Sequence, residues 1–133
     1  MSPEDRQAAF DIRRQVFIHE QGIPARLEQD GEDENATIVL ARWQGVPVGT
    51  ARFRRTVSGW KLERFAVLRE FRNRGIGGAL VQFILHSLPK GDRVYLHAQE
   101  GVIDFYRRYG FEPSGPPFRE AGIVHQLMVH RLL

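Results

Sequence analysis

Apolar positions at four-residue spacing open the chain and predict an N-terminal helix. The spacing runs from Ala8 through Ile12 to Val16, behind a start signal in residues 2–5 (serine, proline and two acids), and gives a helix of about four turns. Glycine and proline at positions 22 and 24 should end this helix. The polar and acidic segment that follows, residues 25–35, is interpreted as a loop.

Alternating β-prone residues then predict strands at residues 37–43, 48–57 and 60–68. Tight turns at Gly45 and Gly59 separate them. Because connections this short cannot form a crossover, these strands should form an antiparallel meander.

The apolar period changes from 2 to 3.6 after the meander. The elements predicted from there on are a helix at 71–88, a strand at 94–98, a helix at 102–109 closed by Gly110, a turn-rich loop at 113–117 and a strand at 124–131. The strand–helix–strand unit across residues 60–98 requires a right-handed crossover and a parallel strand pair. We therefore predict an α/β fold with a mixed sheet (α+β): one domain, residues 1–133, with an antiparallel meander followed by a β-α-β-α-β half.

Composition narrows the class of protein. The chain has 133 residues, of which 42% are hydrophobic and 26% charged, as in an ordinary globular domain. The longest uncharged stretch, residues 75–89, is broken by glycine, proline and histidine, so no transmembrane helix and no membrane partner are predicted. The N-terminus lacks the apolar run of a signal peptide. Cysteine is absent, which excludes thiolate catalysis and zinc–thiolate sites. We expect a cytoplasmic protein.

Charged residues are unevenly distributed along the chain. Arginine outnumbers lysine 17 to 2, but the net charge is only +3. An acidic run interrupts the first half of the chain and favours either a solvated loop or, less readily, an acidic rim for a cationic substrate; its members are Glu28, Asp30, Glu32, Asp33 and Glu34. A nucleic-acid-binding module would need a continuous arginine face. The acidic run and the absence of a helix-turn-helix or RNA-binding pattern therefore argue against nucleic acid as a partner.

A glycine-rich segment directly after a predicted strand opens a helix. It consists of Arg72, Asn73, Arg74, Gly75, Ile76, Gly77, Gly78 and Ala79. Glycines let the backbone approach a ligand, free N–H groups at a helix start bind anions, and arginines add charged contacts. A P-loop would need a lysine after the glycines, and a dinucleotide fingerprint would need glycine or alanine where Leu80 stands. A pyrophosphate in another kind of ligand is therefore the expected occupant.

The spacing Arg72-x-x-Gly75-x-Gly77 after a strand resembles the acetyl-CoA signature of the Gcn5-related N-acetyltransferases. A second match lies in register downstream, where residues 105–111 (FYRRYGF) are similar to that family's F-Y-x-x-x-G-F segment. The order of elements agrees over essentially the whole chain. Residues 13–21, the pattern Glu28-x-Asp30 and residues 118–125 resemble the small bacterial ElaA/YjcF-type branch.

The resemblance implies an acetyl-CoA N-acetyltransferase fold and a set of cofactor contacts. The backbone of Phe65, Ala66 and Val67 should bind the pantetheine arm, which would enter between the strands at 60–68 and 94–98. Residues 72–79 should hold the pyrophosphate. Gln99, where the family often has asparagine, and Phe105 are also assigned to the cofactor. No metal is implied.

Amine acetylation also needs a base, an oxyanion donor and an acid. A backbone N–H at Ala66–Val67 should bind the oxyanion. Tyr106 matches the family's tyrosine near the thioester sulfur, where a phenol can protonate the leaving thiolate. For the base we favour Glu63, which by period 2 should share a strand face with Phe65 and Val67.

Other roles for these residues remain open at this stage. Glu63 is nearly as well explained by pairing with Arg52 or Arg54, and His125, at the start of the last strand, is the alternative base. Glu20 is a further candidate for the acceptor pocket. His125 and His130 should face opposite sides of one strand, so the histidines predict no metal site.

The predicted function is acetyl transfer from acetyl-CoA to a primary amine, on a small molecule or a protein, by direct attack in a ternary complex. A non-catalytic acyl-CoA sensor on the same fold is the alternative. The sequence leaves the acceptor undefined, as it does the choice between a monomer and a homodimer.

Overall fold

One sheet with helices on both faces organises the computed structural model, which describes residues 1–131. Its α-helices are α1 (Pro3–Arg13), α2 (Ala25–Glu28), α3 (Ile76–Ser87) and α4 (Ile103–Arg107). Its strands are β1 (Thr37–Trp43), β2 (Val46–Thr56), β3 (Gly59–Val67), β4 (Val94–Gln99), β5 (Phe111–Pro113), β6 (Phe118–Glu120) and β7 (Ile123–His130). The sheet order is β1-β2-β3-β4-β7-β5, with β6 paired to β7. The β3–β4 pair is parallel and the other pairs are antiparallel, which confirms the mixed sheet.

The first helix begins and ends as predicted, but its second half has a different geometry. Ser2 Oγ accepts a hydrogen bond from the Asp5 N–H at 3.1 Å and caps the start. Residues Arg14–Glu20 are π-helical, and the buried stripe uses Ala9 rather than Ala8. Extra backbone per turn buries two consecutive residues, Val16 and Phe17, against the sheet.

Several predicted boundaries are wrong. The segment interpreted as a loop contains α2 and a 3₁₀ turn at Asp33–Asn35, and the prediction missed β5 and β6 on either side of the 113–117 turn. The helix predicted from residue 71 starts at Ile76, because a 3₁₀ turn at Arg69–Phe71 precedes it. The predicted helix at 102–109 is shortened to α4. No helix within residues 1–131 is long and apolar enough to cross a membrane.

The two faces of the sheet carry different helices and different cores. On one face α3 and α4 cover the main core, whose buried members include Val48, Leu62, Leu80, Val81, Ile84, Leu96, Tyr106, Phe111 and Met128. On the other face α1 and its π-helical continuation cover a smaller core of Ile12, Val16, Phe17 and Ala66. We call these the α3 face and the α1 face.

A β-bulge in β3 changes which residues face each side. Arg52 pairs with Glu63 and Thr50 with Ala66, so two residues of β3 lie opposite the single residue between them on β2. One of these two, Arg64, has a φ of 58°. The extra residue breaks the period of 2. Glu63 therefore lies on the α1 face, and the prediction that it shares a face with Phe65 and Val67 is wrong.

Candidate active site

The two central strands separate part-way along their length. β3 and β4 are paired at three positions, the last of which joins Leu62 to Leu96. Both strands continue beyond this pair, β3 to Val67 and β4 to Gln99. Among residues 1–131, no strand lies between the facing edges of these last residues. We call this wedge-shaped opening the splay.

The edge of β3 directs the Val67 N–H into the splay. On the opposite edge, the Leu68 N–H donates to the Val48 carbonyl at 2.9 Å. Hydrogen-bonded pairs alternate along an antiparallel ladder, so Ala66 also bonds to β2 while the groups of Val67 turn towards the splay. The Val67 carbonyl accepts from Arg72 Nε at 2.9 Å. The Val67 N–H remains available to a ligand.

A row of backbone N–H groups lies at the start of α3, next to the splay. The first helical hydrogen bond joins the Ala79 N–H to the Gly75 carbonyl at 3.0 Å, so residues 76–78 have N–H groups without an acceptor inside the helix. Asn73 and Gly75 have φ angles of 65° and 79°, which turn the chain sharply into the helix. The first turn carries no acidic residue. This arrangement can bind an anion, because the N–H groups and the helix dipole act together.

The Arg72 side chain is engaged elsewhere. Its Nη1 donates to Glu20 Oε2 at 2.6 Å and its Nη2 to Glu20 Oε1 at 2.8 Å. The hydrogen bond from Arg72 holds the pKa of the Glu20 carboxyl below its usual value. Sequence analysis assigned Arg72 to the phosphate site and Glu20 to the acceptor pocket. The structure pairs them with each other instead, since the end of the π-helical segment lies against the loop before α3.

Arg74 differs from Arg72 in that its side chain pairs with no carboxylate among residues 1–131. Its guanidinium lies over the rings of Trp43 and Phe71, at 5.2 and 5.4 Å from their centroids, and the residue is exposed. It is the arginine of the segment that remains available to an anion at the start of α3.

Aromatic residues of the 105–111 segment pack on the glycines of α3. A Cβ added to Gly78 would lie 1.9 Å from Tyr109 Oη, and one added to Gly77 would lie 3.3 Å from Phe105 Cζ. Phe105, assigned by sequence to the cofactor, contacts Gly77 and packs against the main core. The two matched segments are therefore in direct contact in the fold.

Tyr106 lies on the α3 face beside the splay. Its ring centroid is 5.7 Å from that of Phe65 and 6.1 Å from that of Phe111, and only 7% of the residue is exposed. Burial raises the pKa of the phenol above its ordinary value, so the hydroxyl keeps its proton at neutral pH. No group among residues 1–131 hydrogen-bonds to this hydroxyl, and it is not fully enclosed.

The carboxylate of Glu63 is paired with three cationic side chains. It accepts from Arg52 Nε at 2.8 Å and Arg54 Nε at 2.8 Å, and Lys61 Nζ lies 3.1 Å away. Burial by itself would raise the pKa of Glu63, but hydrogen bonds and charge from these three residues lower it to about 2. The structure therefore contains the pairing of Glu63 with Arg52 and Arg54, which the sequence offered as the alternative explanation of Glu63. A carboxylate with so low a pKa is a poor general base.

The acidic run is neither a solvated loop nor a free rim. Arg13 donates to Glu28 Oε2 at 2.7 Å and to Asp33 Oδ1 at 2.6 Å. Arg52 donates to Asp30 Oδ2 at 2.6 Å and to Asp33 Oδ1 at 2.9 Å. Both arginines are 1% exposed. The ion pairs therefore fasten the acidic segment across the α1 face.

Two other predicted site residues lie at the far end of β4 and the start of β7. Gln99 Nε2 donates to Gln21 Oε1 at 3.0 Å, so the side chain contacts the end of the first helical segment. His125 is 7% exposed, and its Nδ1 donates to the Ile123 carbonyl at 2.8 Å. His130 lies on the other face against Phe111, as predicted. Within residues 1–131 no group of three or more metal-ligating side chains is present.

Sequence analysis did not single out His97 and Glu120. His97 Nδ1 and Glu120 Oε1 are 3.1 Å apart, and Glu120 Oε2 is 3.6 Å from His125 Nε2. The Phe118 ring packs against both imidazoles, at centroid distances of 4.9 and 6.0 Å. The short strand β6, which brings Glu120 and Phe118 to this place, was not predicted.

The chain is similar to known proteins in both sequence and fold. The family model described as an acetyltransferase (GNAT) domain matches residues 2–132. The chain belongs to this family. The N-acetyltransferase YjcF of Bacillus subtilis, itself uncharacterized, is 35% identical over 130 residues, covering 95% of this chain and 92% of YjcF.

Solved GNAT structures share the fold. Escherichia coli ElaA superposes with a TM-score of 0.86 at 26% identity, covering 98% of this chain and 93% of ElaA. A GNAT acetyltransferase from Elizabethkingia anophelis, solved with acetyl-CoA bound, superposes with a TM-score of 0.69 at 18% identity, covering 92% of this chain and 90% of that chain. The predicted fold, the ElaA/YjcF-like branch and the enzyme class, an N-acetyltransferase of the GNAT family, are confirmed.

Proposed function

We propose that this GNAT protein transfers the acetyl group of acetyl-CoA to a primary amine by direct attack in a ternary complex. The observation that carries the proposal is the splay, which opens beside the unpaired N–H groups at the start of α3. An extended thiol arm and a pyrophosphate joined to it would occupy these two features together. In the Elizabethkingia protein, whose fold is the same, acetyl-CoA is the bound ligand.

The residues present fit such a ligand. The pantetheine amides would add to the free edge of β3 as another strand does, at Phe65 and Val67. The pyrophosphate would accept from the N–H groups of residues 76–78, with Arg74 adding positive charge. Because the Val67 carbonyl is already held by Arg72, Val67 contributes its N–H and not its carbonyl.

Two groups in the splay serve acetyl transfer. A backbone N–H on the free edge of β3 would donate to the carbonyl oxygen on which negative charge develops, a role that Ala66 cannot fill because its N–H bonds to β2. The Tyr106 hydroxyl, protonated at neutral pH, would give its proton to the departing thiolate. No cysteine is available to carry the acetyl group, which favours direct attack by the amine.

The test is thiol release from acetyl-CoA with spermidine, kanamycin and a lysine-containing peptide as acceptors, combined with calorimetry of acetyl-CoA binding. We expect binding without an acceptor, release with at least one amine, and intersecting initial-rate lines when both substrates vary. Binding with no release for any amine would support the sensor instead. No binding would contradict both functions.

A further inference from the structure

Acetylation at neutral pH needs a group that takes a proton from the acceptor's ammonium, whose pKa is about 10.4 in a lysine-like amine. Glu63 is held by three cations, and both nitrogens of buried His125 are directed at oxygen atoms of the protein. Neither is placed to act. A free proton acceptor on the α1 face of the splay must come from another residue.

His97 lies at the position where such a group is needed. The last pair between β3 and β4 joins Leu62 to Leu96. His97 is the next residue on β4, and Glu63 is the next residue on β3. The His97 neighbours Leu96 and Ala98 belong to the main core, so the imidazole lies on the α1 face. A quarter of the side chain is exposed.

The contacts of His97 determine which nitrogen is free. Its Nδ1 is 3.1 Å from Glu120 Oε1, and this hydrogen bond to His97 also lowers the pKa of the Glu120 carboxyl, which is therefore ionised at neutral pH. An ionised carboxylate can only accept, so Nδ1 carries the hydrogen. Among residues 1–131 nothing hydrogen-bonds to His97 Nε2. In the neutral imidazole that nitrogen has a free lone pair.

Glu120 is in turn fixed from several sides. Its second oxygen lies 3.6 Å from His125 Nε2, and the charge of Lys61 acts on it as well. Among residues 1–131, the charged and titratable groups that face His97 are Glu120 from β6, His125 from β7, Lys61 and Glu63 from β3, and Tyr95 on its own strand, whose ring centroid is 6.0 Å from that of His97. His125 acts on His97 only through Glu120 and is a positioning residue.

We propose that His97, oriented by Glu120, is the general base of acetyl transfer. The inference rests on the proposed function. His97 Nε2 takes one proton from the ammonium, the amine lone pair forms the C–N bond, and the C–S bond breaks. The sulfur leaves with the electron pair and takes the proton of the Tyr106 hydroxyl. The nitrogen of the new amide loses its second proton to solvent. The imidazolium and the phenolate then exchange one proton through solvent, which restores both residues and leaves a net release of one proton.

One test does not depend on turnover. Long-range ¹H–¹⁵N spectra of the histidine rings in the full chain, assigned with His97→Asn, identify the tautomer. We expect neutral His97 to carry its hydrogen on Nδ1, and Glu120→Ala to increase the share on Nε2. A wild-type His97 with its hydrogen mainly on Nε2 would overturn the proposal.

The second test is kinetic. His97→Asn keeps a donor for Glu120 but removes the base, and His86→Asn, on the exposed surface of α3, is the matched control. We expect kcat at pH 7 to fall by about 10²–10⁴-fold and the acidic limb of the pH–rate profile to disappear, with unchanged calorimetric affinity for acetyl-CoA.

The possible outcomes distinguish a wrong assignment of the base from a wrong proposed function. Turnover that survives His97→Asn with its pH dependence intact contradicts the base alone, as does a variant that only loses thermal stability. No thiol release by the unaltered protein contradicts the proposed function, and the inference that rests on it fails too.

Discussion

Arg72 holds both carboxylate oxygens of Glu20 and, through Nε, the backbone carbonyl of Val67. One side chain thereby joins the end of the first helical segment, the free edge of β3 and the loop before α3. These three segments must keep their relative positions if a single ligand is to occupy both the splay and the anion-binding start of α3.

Glu20→Gln should weaken the hydrogen bonds between residue 20 and Arg72 without removing all of them. Because the amide keeps one acceptor and loses the charge, we expect KM for acetyl-CoA to rise about tenfold, equivalent to about 1.4 kcal/mol, with a smaller change in kcat. Steady-state kinetics test this. Glu70→Gln, an exposed acid in the adjacent 3₁₀ turn, is the control and should leave KM unchanged. Equal effects of the two variants would refute the connection.

Glu63→Gln should affect stability more than catalysis. The change leaves the buried guanidinium of Arg52 with one charge partner fewer, which costs about 3–5 kcal/mol when a buried pair is broken. Denaturant unfolding at pH 7 measures the loss. The shape of the pH–rate profile should stay as in the unaltered protein, and loss of its acidic limb would return the base role to Glu63.

Stability should also fall in acid because of Glu63. Its pKa is lowered from 4.5 to about 2 in the fold, so its contribution is complete above pH 4.5 and is lost as the pH falls towards 2. Asp30 and Asp33, whose pKa values are lowered by hydrogen bonds from Arg52 and Arg13 against the opposing effect of burial, act in the same direction. Unfolding free energy measured between pH 6 and pH 2 should stay level down to about pH 4.5 and decrease below it. A flat profile would contradict the ion pairs.

Gly78→Ala should destabilise the contact between α3 and the turn that follows α4. The added Cβ would lie 1.9 Å from Tyr109 Oη, and overpacking of this kind costs about 1–3 kcal/mol. Tyr109→Phe removes the clashing oxygen, so the double variant should recover part of the loss. Thermal unfolding of the two single variants and the double variant measures the recovery, and strictly additive losses would disprove the contact.

Tyr106→Phe removes one hydroxyl and almost no volume. If the phenol protonates the leaving thiolate, kcat should fall by about 10²–10⁴-fold with little change in acetyl-CoA affinity. The loss should shrink with an acyl donor whose thiol is more acidic. Tyr95→Phe is the control, since the Tyr95 hydroxyl lies on the α1 face and hydrogen-bonds to Thr56. Near-normal turnover of Tyr106→Phe would mean that Tyr106 packs in the core and does not act as the acid.

Much of this protein can be predicted from its sequence because the signals are local. The serine cap, the alternation in the meander and the glycine-rich turn before α3 act within a few residues of themselves, and the structure has each of them. The family resemblance likewise depends on two short segments, 72–79 and 105–111. Their direct contact through Gly77 and Gly78 arises because the β3–α3–β4 crossover places α3 on the same face of the sheet as α4.

The identity of the working side chains was decided by tertiary structure. A single extra residue at Arg64 moved Glu63 to the α1 face, and period-2 counting cannot detect a bulge. Arg13 and Arg52 are distant in sequence from one another, yet both bind Asp33, which turned a run of acids into buried ion pairs. His97 and Glu120 are 23 residues apart and meet only because β6 folds back on β7. Charge pairing acts through space, so its partners are fixed only when the strands are assembled.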